Sequence, residues 1–384
     1  MLRDTQGVAD APAVLPMDLV PIVARFTGAH TCEEIARQVS SETGERIPVD
    51  FVVRLANELE ESLFVDGAPY KRARVRVEHA FADADVRPAS HAGGAYHDEP
   101  KKLADYIRRE CFGKSDGVGA PNGASRLVGL VAPHIDPWRG ARCYGEAYGV
   151  LGKQLPAGAD TFILFGTSHA PMHQPFALCR KAFDTPLGRL EADKDAIDAI
   201  AAACDFDPYA DQFNHKREHS LEFQAVFLRH LLGERKARII PILAGLGEQQ
   251  SSGESPKRRR SIEQFLDAVR KVVDDKGAVV IAGADLAHVG PRFGDALAFD
   301  EGERRALHET DRESLDHAVR GDAEGFWKHV AGDLETRRVC GLAPIYCLLR
   351  TVTTGGGGHL RHYEQTVDPD EGSIVSHAAL GFYA

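Results

Sequence analysis

Five short, nearly unbroken apolar runs beyond residue 126 constrain this chain more than any other feature. They are LVGLVA (128–132 at its core), TFILFG (161–166), ARIIPILAG (237–245), AVVIAGA (278–284) and SIVSHAALGFY (373–383). Apolar runs of this length without polar alternation read as strands buried on both faces. Stretches at helical spacing, SLEFQAVFLRHLL (220–232) and SIEQFLDAVRKVV (261–273), separate some of them. Strand and helix in alternation predict a largely parallel sheet with helices on both faces, a three-layer α/β/α domain. Pro241 inside one run marks an edge position or a bulge. The polar stretch 247–261 reads as a mobile surface loop and the tract Gly355–Gly358 as a flexible turn.

A chain of 384 residues exceeds one ordinary core, so a second domain is expected. Residues 1–70 have their own pattern. Thr31 followed by Glu34 is a capping-box signature, and Ile35 and Val39 continue at helical spacing. A second periodic stretch, 49–63, carries Phe51, Val52, Leu55, Leu59 and Leu63, and Phe64-Val65 reads as a short strand. Helix, helix, strand predicts a small winged-helix-like α+β domain. Residues 71–86, with Lys71, Arg72, Arg74 and Arg76, read as a solvated linker, and 87–384 as the larger domain.

Charge narrows the partners. Residues 1–70 carry 5 lysines and arginines against 12 aspartates and glutamates, and the whole chain 46 against 57. A nucleic-acid reader needs a cationic face, and an anionic membrane surface attracts one too, so both are excluded as general partners. The small domain is better suited to docking a protein or peptide. No apolar run approaches a bilayer span, and the first residues lack a signal peptide's basic and apolar regions, so the cytoplasm is expected. Seven scattered cysteines without CxxC read as reduced thiols.

The chemistry gathers at strand ends. LVGLVA runs into Pro133-His134, FILFG into Thr167-Ser168-His169, and VVIAGA into Asp285-Leu286-Ala287-His288. Ligands of open α/β sheets bind outside the carboxyl ends of the strands, and imidazole is both a metal ligand and a proton shuttle. Each histidine alone is a hydrogen-bonded strand-end residue; three together predict a shared site. His219, before an amphipathic helix, and Cys340, opening another helix, are further candidates. A thiol at a helix N-terminus is expected to be acidic. Ser168 lacks the GxSxG elbow of a nucleophile and reads as a hydrogen-bonding residue.

The ordered motifs RPASHAGGAY, VAPHID, GTSHA, TPLGRLEAD, EHSLEFQ, PILAG, GADLAH, VCGLAP and VSHAALG resemble those of Memo proteins over roughly residues 87–384. These include protein B of the AmmeMemoRadiSam system. The resemblance implies the α/β fold of class III extradiol dioxygenases, the LigB-like enzymes, with a cysteine replacing the carboxylate ligand. It implies His134, His169 and Cys340 as ligands of one transition-metal ion, iron(II) or copper(I) before zinc. His288, Asp285 and His219 would line the pocket as catalytic groups: His288 as acid or base, Asp285 orienting it or a water, His219 stabilising charge. Asp136, Trp138 and Arg139, and Ala170 after the second histidine, depart from the usual motifs. The N-terminal run LRDTQGVAD, VLPMDLVPIVARFTG, HTCEEIARQV resembles PqqD-like domains of radical-SAM systems.

Three functions follow as expectations. The first is a metal-dependent, dioxygenase-like oxidoreductase of small molecules or peptides with radical-SAM and AMMECR-type partner proteins. Because thiolate is itself oxidisable, the second is a non-catalytic metal- or peptide-binding partner of that system. A metal-assisted hydrolase is the third.

Overall fold

The structure is a computed structural model that describes the chain except residues 3, 5, 10, 116–125, 156–157 and 353–356. It divides into two compact units, Met1–Ala84 and Asp85–Ala384.

The first unit is built on three helices: α1 (Cys32–Thr43), α2 (Val49–Glu61) and α3 (Ala68–Asp83). Thr31 and Glu34 form the expected reciprocal capping box, and Gly44 closes α1 in the left-handed region at φ 74°. Ile35, Ala36 and Val39 of α1 pack with Val52, Leu55 and Leu59 of α2 and with Ile22. Two expectations are corrected here. Phe64-Val65 form no strand: Leu63 turns the chain at φ 65°, the Phe64 amide donates back to the Leu59 carbonyl at 2.8 Å, and both side chains pack on the helical core. The only pairing among the described residues of this unit is the isolated bridge Leu2–Ala13, so it is helical rather than α+β. The segment expected as a linker is α3. No glycine or proline interrupts residues 70–87, Pro69 sits in the first turn, and Arg74 meets Glu78 at 2.7 Å one turn on.

The second unit holds the sheet. Its principal strands are β1 (Leu127–Ala132), β2 (Thr161–Thr167), β3 (Phe176–Leu178), β4 (Arg238–Ala244), β5 (Val279–Gly283), β6 (Asp285–Val289), β7 (Gly358–Val367) and β8 (Ile374–Tyr383). Their order is β7-β8-β1-β5-β2-β4-β3, with β6 also on β8. The four central strands are parallel, while β8, β7 and β3 run antiparallel to their neighbours. All five apolar runs are strands. Period-two alternation sorts their side chains: Phe162, Leu164, Val279 and Ile281 face one layer, and Ile163, Phe165, Val280 and Ala282 the other. Helices α4 (Ala141–Gln154) and α5 (His219–Leu232) cover the first face; α6 (Arg260–Lys276) and α7 (Leu342–Thr351) cover the second. This is the expected three-layer α/β/α domain.

Pro241 sits in a strand paired on both sides, yet at a local gap. Beyond β2, the outer partners of β4 reach residues 238–239 and 242–244 only. The stretch 247–261 is not an open loop. It folds into a helical turn (Gly247–Ser252) and a second one (Pro256–Arg258) before α6, because Leu246, Gln249 and Ile262 are buried and hold it to the domain. Of the tract Gly355–Gly358, the first two residues lie outside the described residues, and Gly358 opens β7. Among the described residues no helix is long and apolar enough to cross a membrane, and all seven cysteines are free.

Candidate metal centre

β5 lies between β1 and β2, with Ala132, Gly283 and Gly166 in register across the three. The chain therefore leaves all three strands at one end of the sheet, and Pro133-His134, Asp285 and Ser168-His169 emerge side by side. The N-terminus of α5 closes over this end. It approaches closely because Gly166 and Gly283 carry no side chain: a Cβ on Gly283 would meet the Ser220 carbonyl at 2.3 Å, and one on Gly166 would meet Ser220 Oγ at 2.5 Å.

His134 is buried and held at two points. Its Nδ1–H donates to the Gly283 carbonyl at 2.9 Å, and its amide donates to Asp285 Oδ1 at 2.7 Å. That leaves Nε2 facing Cys340, whose Sγ lies 3.1 Å away. His169 is 41% exposed and tied to Glu218, which accepts from its Nδ1–H at 2.9 Å and from its amide at 2.9 Å. Cys340 reaches the site from the loop before α7. The Gly341 amide donates to the Asp285 carbonyl at 2.9 Å, and the Thr167 hydroxyl donates to the Cys340 carbonyl at 2.9 Å. One ligand atom from each of His134, His169 and Cys340 lies within 4.8 Å of the others. The two imidazoles and the sulfur expected to meet do so.

The three pocket residues fall differently. His219, the first residue of α5, stacks on His169 with ring centroids 4.5 Å apart and stands 5.3 Å from His134. Asp285 is buried and supports His134. His288, on β6, donates from Nδ1 to the Leu286 carbonyl at 3.1 Å and packs edge-on against Phe293 at 5.0 Å. The expected orienting bond between Asp285 and His288 gives way to separate partners: Asp285 accepts from the His134 amide while the His288 ring donates to the Leu286 carbonyl, and a register shift in β6 sets the two residues against His377 and Val375 of β8. Ser168 donates to the Ala170 carbonyl at 2.8 Å, the hydrogen-bonding role expected of it.

Charge at the site follows from burial and neighbours. Burial pushes Asp285 up, but His134, His377 and His288 around it outweigh that and hold its carboxyl below the usual range. Burial likewise raises Glu218, and His169, His219 and the Ser220 amide bring it well below the usual range. Burial lowers His134, and it takes His219 down to about 3, so both imidazoles are neutral near pH 7. His169 goes the other way: burial lowers it, but Glu218 beside it raises it further. Cys340 departs from expectation. Burial, together with Asp285 and Glu218, pushes its thiol well up, and these outweigh the helix N-terminus beyond Gly341. A cation between the sulfur and the imidazoles would reverse that balance, since ligation requires thiolate.

Glu218 has no role in the sequence reading, although it begins the quoted EHSLEFQ. His169, Glu218 and His219 also group within 4.8 Å. The bonds from His169 to Glu218 fix the ring through its Nδ1, an arrangement usual for metal-bound histidine. A cavity of about 760 Å³ opens beside His169 and Cys340, bordered by Met172, Gln174, Gly245 and Gln249. Asp136 pairs with Arg139, and Trp138, 39% exposed, donates to the Gly94 carbonyl at 3.1 Å.

Comparison with known proteins matches this architecture to one group. The family model described as "Memo-like protein" matches residues 87–381. A MEMO1 family protein of Aquifex aeolicus is 25% identical over 386 residues, covering 100% of this chain and 96% of that protein. One from Methanosarcina mazei is 26% identical, covering 77% and 98%. One from Thermus thermophilus is 29% identical, covering 72% and 78%. The Aquifex relative spans the first unit as well as the second.

Proposed function

This chain belongs to the Memo family, and from that premise we propose a metal-dependent oxidoreductase in which His134, His169 and Cys340 hold one transition-metal ion. The observation that carries this reading is the convergence of three donors within 4.8 Å from three separate segments. The donors suit a metal chemically. Both imidazoles engage Nδ1 with a protein acceptor, which leaves Nε2 as the ring nitrogen for a metal, that of His134 already facing Cys340 Sγ at 3.1 Å. Nitrogen and sulfur donors favour iron(II), copper(I) or zinc, and three protein ligands leave open positions as catalytic sites do.

When bound, the ion would supply Lewis acidity or one-electron chemistry to an oxygen-bearing substrate or to dioxygen. The chain's residues do the rest. Asp285 and Gly283 fix the His134 ring, and Glu218 fixes His169. His219, kept neutral by burial, offers a hydrogen bond beside the ligand it stacks on. His288 takes or gives a proton. Radical-SAM and AMMECR-type proteins are the proposed partners, and the first unit is the proposed docking module for them or for a peptide. A separate core and its acidic balance support that module.

Elemental analysis of anaerobically purified protein tests the site. About one iron, copper or zinc per chain is expected, with most of it lost in Cys340→Ser. Equal metal in both proteins would remove the sulfur from the ligand set. Oxygen uptake in His288→Ala tests catalysis, with a loss of about 10²–10⁴-fold expected for a positioned acid or base. Metal binding without oxygen uptake or substrate turnover in either protein would favour the non-catalytic, partner-binding reading.

A further inference from the structure

Next to the site lies a buried polar network that the reading above leaves without a task. Val86–Arg87 pair in parallel with Ala182–Phe183, and this brings residues 87–96 against the first turns of α5. Arg87 and Glu222 are both buried and form an ion pair. Arg87 also donates to the His215 carbonyl at 3.0 Å and the Glu218 carbonyl at 2.8 Å. Glu222 accepts from the Tyr96 hydroxyl, from Ser90 Oγ at 2.8 Å and from the His91 amide at 2.9 Å. His91 Nδ1–H completes the set, donating to Glu222 at 3.0 Å. A buried ion pair adds little net stability over an apolar replacement, so what it specifies is conformation.

What this network specifies is the attitude of one ring. The His91 side chain remains 29% exposed, while its Nδ1 side is engaged by the buried Glu222 and, at 3.1 Å, by the hydroxyl of the exposed Ser90. The carboxylate accepts only, so Nδ1 carries a proton, and Nε2 is the ring nitrogen left for a partner from outside. The ring stands 5.6 Å from His219, which stacks at 4.5 Å on His169. Three imidazoles thus form a row starting at a proposed metal ligand. Glu218, the N-cap residue of α5, and Glu222 in its first turn fix its two ends.

We infer that His91 is a substrate-contacting residue, and that the site takes a molecule bearing a hydroxyl remote from its metal-binding oxygen. This rests on the metal-site reading. An imidazole lone pair accepts from a hydroxyl, and a group bound at the metal end would extend past His219 to reach it. Glu222 acts through His91 as a positioning residue.

The test uses the full-length protein loaded with cobalt(II), whose visible bands report ligands at the metal. The probes are ω-hydroxy carboxylic acids of three to six carbons, each paired with its deoxy acid. In the wild type, at least one hydroxy acid should bind about tenfold more tightly than its partner, the scale of one hydrogen bond. His91→Asn, whose amide keeps the bond to Glu222 but has nothing at the Nε2 position, should abolish the preference with the cobalt bands unchanged. His91→Gln, whose amide oxygen reaches toward that position, should recover part of it. No preference in the wild type, no binding of any acid, or a preference undiminished in His91→Asn would overturn the role of His91 while leaving the metal reading intact. Failure to bind cobalt at all would defeat the metal reading and the inference together.

Discussion

Glu218 illustrates how much one side chain organises at this site. It accepts from the amide and the ring of His169 and from the Ser220 amide at 3.0 Å, so it fixes a proposed ligand and the start of a helix together. Glu218→Gln preserves shape but replaces one acceptor oxygen with a donor and removes the charge. Metal affinity, measured by competition with a chelator, should fall about 10–100-fold, with the circular dichroism unchanged. An unaltered affinity would mean that Glu218 only caps the helix. Local pattern marked His134, His169 and His288 as ends of buried runs and His219 and Cys340 as openings of helices; singling out His134, His169 and Cys340 as ligands rested on the family resemblance. Local pattern gave Glu218 no such mark. The importance of that carboxylate lies in a contact 49 positions away. The acidity expected for Cys340 failed for the same kind of reason: the helix is local, whereas the burial and the two carboxylates that oppose it are tertiary.

Among the elements, the strands were the most legible, since an uninterrupted apolar run has few ways to be buried. The capping box and both predicted helices of the large domain were equally clear. α3 was missed because charge density was weighed above the absence of any helix breaker, and Phe64-Val65 because β-prone residues make no strand without a partner. The contact between α5 and the strand ends makes its own prediction. Gly283→Ala would drive a methyl into the Ser220 carbonyl at 2.3 Å and Gln224 Nε2 at 2.7 Å. A loss of about 1–3 kcal/mol in unfolding free energy is expected from such overpacking, with weaker metal binding as Glu218 is pushed outward. Gly247→Ala, where a Cβ would meet nothing within 4 Å, is the control. Equal stability of the two variants would show that the helix can move aside freely.

For the whole molecule, the buried imidazoles set a pH dependence. Burial lowers His215 to about 4 and His219 to about 3, and His134, His288 and His377 shift the same way. Between the ordinary histidine value of about 6.5 and these lower ones, the unfolded chain binds protons that the folded chain refuses. The stability from these groups is therefore whole above about pH 6.5 and falls as pH drops toward 4, with His215 alone worth on the order of 3 kcal/mol, while His169, raised by Glu218, contributes with the opposite sign. Urea unfolding of chelator-treated protein should give a lower midpoint near pH 5 than near pH 7.5, and a flatter dependence in His215→Asn. A midpoint independent of pH would mean that these rings are not held neutral. Glu218 and Glu222, held well below the usual carboxylate range, would lose their contribution only in stronger acid.

The sequence by itself determined which segments are buried strands, that helices cover both faces of their sheet, and that the chemistry stands at strand ends. These are properties of patterns a few residues long. Only the tertiary structure decided that β5 falls between β1 and β2, that His134 meets Cys340 across 206 positions, and that Glu218 and Glu222 stand behind the imidazoles. Strand order and the pairing of buried charges are settled by the lowest free energy of the whole packed domain, which no short stretch of the chain contains.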